Sequence, residues 1–99
     1  MDLKTKIPFD VNMLVDFFKD QPVRKVSLFG SYARGDYRKE SDVDFLVELE
    51  RSTDLFRFIK IKLQLEALLQ KTVDLISARG LSIRIKPTID SEKFLIYEK

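Results

Sequence analysis

Between Asp42 and Leu49 the chain alternates in a way that fixes both a strand and the direction it faces. Val43, Phe45, Val47 and Leu49 fall on one side, and Asp42, Asp44, Leu46 and Glu48 on the other. Such a strand needs a core against its apolar side. It also presents two carboxylates together on the opposite side. The rest of the chain must therefore cover the valines and the phenylalanine while leaving the acids reachable.

The covering elements can be read in order. Asp10 is a good N-cap, and Val11, Leu14, Val15, Phe17 and Phe18 then recur at helical spacing until Asp20-Gln21-Pro22. Val23 to Phe29 reads as a short strand, broken by Gly30-Ser31 and again by Gly35-Asp36. Asp54 caps a long helix running to about Lys71. Thr72 to Ile76 is a third strand, with Val73 and Leu75 on one side and Asp74 on the other. Ile83 to Ile89 is expected to form a short helix, interrupted by Pro87, and Phe94 to Tyr97 a last strand at a sheet edge. This order predicts an α/β (α+β) fold: a small mixed β-sheet with helices packed on one face, as one domain over residues 1–99.

The long helix is unusual in carrying two apolar stripes. Leu55, Phe56, Ile59, Leu63 and Ala67 form the first; Phe58, Ile61, Leu65, Leu68 and Leu69 form the second. One stripe suffices to seat a helix on a sheet. The second stripe is then covered either by the first helix or by a protein partner.

Composition removes several chemistries. The 99 residues include no cysteine and no histidine, which excludes disulfides, Cys- or His-bound metals and catalytic triads. Any reaction must run on carboxylates, hydroxyls, Lys, Arg and a bound cofactor. A net charge of +2 argues against stable nucleic-acid binding. The first six residues lack the apolar run of a signal peptide, and no stretch is long enough to span a bilayer, so a cytoplasmic location is expected.

Two acids two apart on a strand are commonly no more than a solvated face. Here Gly30-Ser31 ends a strand shortly before the pair, and Asp74 arrives on a third strand in matching phase. Like charges so close would raise one another's pKa, and a divalent cation would relieve them. Magnesium takes a few carboxylates together with water and phosphate oxygens, and a two-ion site would serve an in-line displacement. Gly30 allows a phosphate close to the backbone, Ser31 offers a hydroxyl and N–H groups, and Arg34 can neutralise a phosphate oxygen. Taken singly, Gly30-Ser31 is equally an ordinary turn and Arg34 a surface arginine. The loop is neither a Walker A sequence nor G-x-G-x-x-G.

Gly30-Ser31, ten residues, then Asp42-Val43-Asp44 resembles the GS-x10-D-x-D signature of the DNA polymerase β-like nucleotidyltransferase superfamily. The wording around it is similar to the minimal nucleotidyltransferases in particular. The resemblance implies the polymerase β-like fold and a magnesium-dependent nucleotidyltransferase. By it, Gly30 and Ser31 hold the β- and γ-phosphates, and Asp42 and Asp44 ligate two Mg2+ ions. Asp74 ligates one of them and serves as general base, while Arg34 sits at a commonly basic position. It further implies ATP as substrate, AMP as the group transferred, and a tyrosine of a HEPN-type toxin as acceptor, so that the chain acts as antitoxin. Two other readings stay open: a binding module that neutralises its partner by contact, and a small-molecule nucleotidyltransferase. Tyr32 and Tyr37 flank the loop, which raises self-modification as a further idea.

Overall fold

The computed structural model describes residues 7–80 and 86–99. Helix α1 (Val11–Lys19) starts where Asp10 accepts a hydrogen bond from the Asn12 N–H at 2.9 Å. Strand β1 (Val23–Phe29) leads into the one-turn helix α2 (Ser31–Arg34), and strand β2 (Val43–Leu49) follows. Helix α3 (Leu55–Leu69) begins at Asp54, whose carboxylate accepts from the Arg57 N–H at 2.8 Å. Caps of this kind each stabilise by about 1 kcal/mol. Strand β3 (Val73–Ser77), a short 3₁₀ turn (Ala78–Gly80), helix α4 (Lys86–Glu92) and strand β4 (Phe94–Glu98) complete the order. Residues 83–85 of the expected short helix lie outside the described residues. Pro87 falls in the first turn of the described helix, where its missing N–H costs little.

The sheet runs β3-β2-β1-β4. β1 pairs antiparallel with β2 and with β4, whereas β2 and β3 are parallel. The sheet is therefore mixed, as the element order predicts, and β4 lies at an edge. The parallel pair is possible because α3 supplies the crossover between β2 and β3.

Alternation sorts the faces. Val43, Phe45 and Val47 of β2 are fully buried, together with Val26 and Leu28 of β1 and Val73 of β3. They share one core with Leu14 and Phe18 of α1 and with Ile61, Leu65 and Leu69 of α3. Phe18 meets Phe45 edge to face at 5.9 Å. Burying the three apolar residues of β2 contributes about 5–9 kcal/mol, comparable with the whole stability of a domain this size.

The two stripes of α3 take different fates. The second enters the core through Ile61, Leu65 and Leu69, with Phe58 partly buried against it. The first is left bare: Phe56 is 84% exposed, Leu55 67% and Leu63 57%. The stripe in want of a cover is thus the first and not the second. The core stripe also has its own fastening, since Glu66 accepts a hydrogen bond from the Val73 N–H at 2.9 Å and ties α3 to the start of β3.

Candidate active site

Asp44 stands in the middle of the sheet. Its partner on one side is Phe29, the last residue of β1 before Gly30; on the other it is Asp74. Asp42 precedes β2 by one residue and shares the phase of Asp44. The Val43 N–H donates to the Thr72 carbonyl at 2.9 Å, which seats the beginning of β2 against that of β3. Residues paired in a parallel ladder project to the same face. Asp42, Asp44 and Asp74 accordingly share the face that turns away from α3. Asp42 and Asp44 line an open groove of about 510 Å³, together with Gly30, Ser31 and Arg34. Asp74 stands next to Asp44 in the ladder but outside the lining of that groove.

The carboxyl of Asp44 is pushed up from an ordinary 3.8 to about 6. Partial burial is the largest cause, followed by the charges of Asp74 and Asp42; Arg34 opposes them and Glu92 adds to them. Burial first, and the two neighbouring carboxylates after it, thus disfavour the charged form of Asp44.

Gly30 explains why the bend is glycine. Its φ of 76° and ψ of −157° lie in a region that side chains rarely adopt. A Cβ there would run into the Asp44 carboxylate and stand 3.0 Å from its Cγ. Glycine thus leaves room for Asp44. Gly35 closes the turn in the left-handed region, at φ 91°. Between them Tyr32 is 1% exposed, stacked on Tyr37 at 4.3 Å and tilted against Phe9 at 5.3 Å. It anchors the loop to the core. A buried ring of this kind is a poor acceptor, which removes Tyr32 from the idea of self-modification.

Arg34 turns toward the groove but is already engaged. Its Nε donates to Asp36 at 3.2 Å, and its Nη1 donates to both oxygens of Glu92, at 3.1 and 3.3 Å. Glu92 Oε1 also accepts from the Gly30 N–H at 3.1 Å. These contacts hold the guanidinium pKa above its usual value, Glu92 more than Asp36. Sequence reasoning missed Glu92. It comes from α4, 62 residues from Gly30, and no spacing rule joins the two.

The residues present fit a divalent cation in kind. Their donors are hard carboxylate oxygens, and the charged form of Asp44, disfavoured by burial and then by Asp74 and Asp42, is one that a cation would favour. Among the described residues no three acids converge on a common point. Magnesium is compatible with that, because it commonly binds through one or two carboxylates and completes its shell with water and substrate phosphates.

A mixed sheet carrying acids on an inner strand, with a Gly-Ser bend at the end of the neighbouring one, is the arrangement that the resemblance to nucleotidyltransferases implies. The chain belongs to the nucleotidyltransferase domain family, whose model matches residues 11–98. Members of this family take a nucleotide substrate and, in general, a divalent metal. Protein adenylyltransferase MntA of Thermococcus cleftensis is 43% identical over 67 residues, covering 68% of this chain and 68% of that protein. A solved structure assigned to a minimal nucleotidyltransferase superimposes with a TM-score of 0.78 at 35% identity, covering 95% of each chain. A tri-AMPylated Shewanella oneidensis HEPN toxin in complex with MNT antitoxin gives a TM-score of 0.70 at 18% identity, covering 99% of this chain and 74% of that one. At that identity the likeness establishes the fold alone, and the fold is the polymerase β-like one. Among the described residues no helix is long and apolar enough to cross a membrane.

Proposed function

We propose that the chain is a magnesium-dependent adenylyltransferase acting in the cytoplasm as the antitoxin of a HEPN-type toxin, with a tyrosine hydroxyl of that toxin as acceptor. The observation that carries the transfer reading is the position of Asp44, between the strand that delivers Gly30 and the strand that delivers Asp74. The related MntA is named a protein adenylyltransferase, and the complex of similar fold holds a HEPN toxin with an MNT antitoxin. The bare stripe of α3 adds a surface suited to a protein partner.

In this reading the Gly30-Ser31 bend and Arg34 hold the β- and γ-phosphates of ATP. Asp42 and Asp44 would hold two magnesium ions, with Asp74 sharing one. Bound there, the metal would neutralise the triphosphate and stabilise charge on the attacking and leaving oxygens. Asp74 takes the proton from the tyrosine hydroxyl. The freed oxygen attacks the α-phosphorus, the bond from that phosphorus to its bridging oxygen breaks, and pyrophosphate leaves. The protein contributes mainly by positioning groups for an in-line displacement.

The test is to incubate the protein with a HEPN toxin, labelled ATP and magnesium, and to weigh the toxin by mass spectrometry. A gain of one or more AMP groups on tyrosine is expected. Asp74→Asn should abolish it while Mg·ATP binding survives. Neutralisation of the toxin by Asp42→Asn/Asp44→Asn as fully as by the wild type would replace this reading with neutralisation by contact.

A further inference from the structure

Two groups read as phosphate ligands, the backbone at Gly30 and the guanidinium of Arg34, converge on a single carboxylate of the chain itself. A backbone N–H and a guanidinium aimed at one point form an anion subsite, and here an anion fills it. Glu92 lines the same groove as Asp42 and Asp44. Its side chain is only 16% exposed, against 46% for Arg34. A third acid in a groove that already holds Asp42 and Asp44 is unfavourable unless paired, and Arg34 and Gly30 supply the pairing.

We propose that Glu92 is a determinant of nucleotide affinity: it occupies the phosphate subsite and competes with the triphosphate for Gly30 and Arg34. This rests on the nucleotidyltransferase reading of the groove. When phosphate enters, one anion replaces another on the guanidinium, and Glu92 turns aside. Its main chain need not move. β4 starts at Phe94, two residues further on, and is paired with β1, so release is a side-chain rotation. A residue that merely braced the loop would act in the opposite sense, since weakening it would disorder Gly30 and Arg34 and lower affinity.

The variant that separates these cases is Glu92→Gln. It keeps a side-chain oxygen for the Gly30 N–H and removes the charge that opposes phosphate. Isothermal titration with Mg·ATP, and separately with tripolyphosphate, is expected to show binding about three- to tenfold tighter than in the wild type, from the loss of one partly exposed competing charge. Equal or weaker binding in Glu92→Gln, with the wild type binding normally, overturns the proposal and leaves the transferase reading standing. Failure of both proteins to bind Mg·ATP overturns both. Should Glu92→Gln fold poorly, the wild type still decides: the carboxyl carbon resonance of Glu92 must shift as Mg·ATP is added, and a resonance that stays put refutes the exchange.

Discussion

Gly30 and Gly35 bracket the same short turn, both at positive φ, yet their surroundings differ, and the difference can be measured. Nothing lies within 4 Å of a Cβ built on Gly35, so Gly35→Ala meets only backbone strain. That strain is about 1 kcal/mol in the left-handed region. Gly30→Ala meets strain of about 1–3 kcal/mol in its less accessible region, and its methyl also strikes the Asp44 carboxylate. Asp44 is held between two strands, so its main chain stays and its side chain must rotate away from the bend. Gly30→Ala should therefore lose about 2–4 kcal/mol and Gly35→Ala about 1, with roughly 4–8 °C of Tm per kcal/mol. Because the displaced group is the one proposed to hold metal, Gly30→Ala should also weaken Mg·ATP binding by about tenfold or more, while Gly35→Ala largely keeps it. Urea unfolding and calorimetry on the same three samples check both numbers. Equal stability losses with equal binding would refute the claim that Gly30 is reserved for Asp44.

Two further expectations follow from burial and charge. Asp44 ionises in the unfolded chain near 3.8 but in the folded one near 6, so stability falls as pH rises through that window. The interval corresponds to a ceiling of roughly 3 kcal/mol, reduced to about 1–2 by the partial exposure of the group. Asp44→Asn should then match the wild type in urea near pH 4 and exceed it by that amount near pH 7.5; a difference that does not change with pH contradicts it. On α3, Leu65→Ala should cost about 2–5 kcal/mol, whereas Phe56→Ser should stay within about 0.5 kcal/mol. Equal losses from the two would mean that the assignment of stripes is wrong.

The strand from Val43 to Leu49 was legible because its period is two and its apolar side is unbroken. Asp10 and Asp54 marked their helices because a cap is a local device, and both make the expected bonds. The shared face of Asp42, Asp44 and Asp74 also followed from alternation. Other features depend on distant parts of the chain. Both stripes of α3 are equally apolar, so only tertiary packing decides that Ile61, Leu65 and Leu69 face the sheet. A glycine before a serine reads as a breaker; that its missing Cβ makes room for Asp44 appears only once β1 and β2 are paired. Glu92 stands at the end of a short helix, and its partners lie 58 and 62 residues away, beyond the reach of any local pattern.

The parallel pairing of β2 with β3 sets Asp44 opposite Asp74 while the neighbouring Val43 and Val73 meet in the core. A slip of one position would bury Asp74 in oil and leave Val73 in water. Misalignment is thereby penalised by hydrophobicity far more heavily than by any contact between the acids. Their alignment is proof-read by Val43 and Val73, residues that carry no charge, and so needs no attraction between the acids themselves.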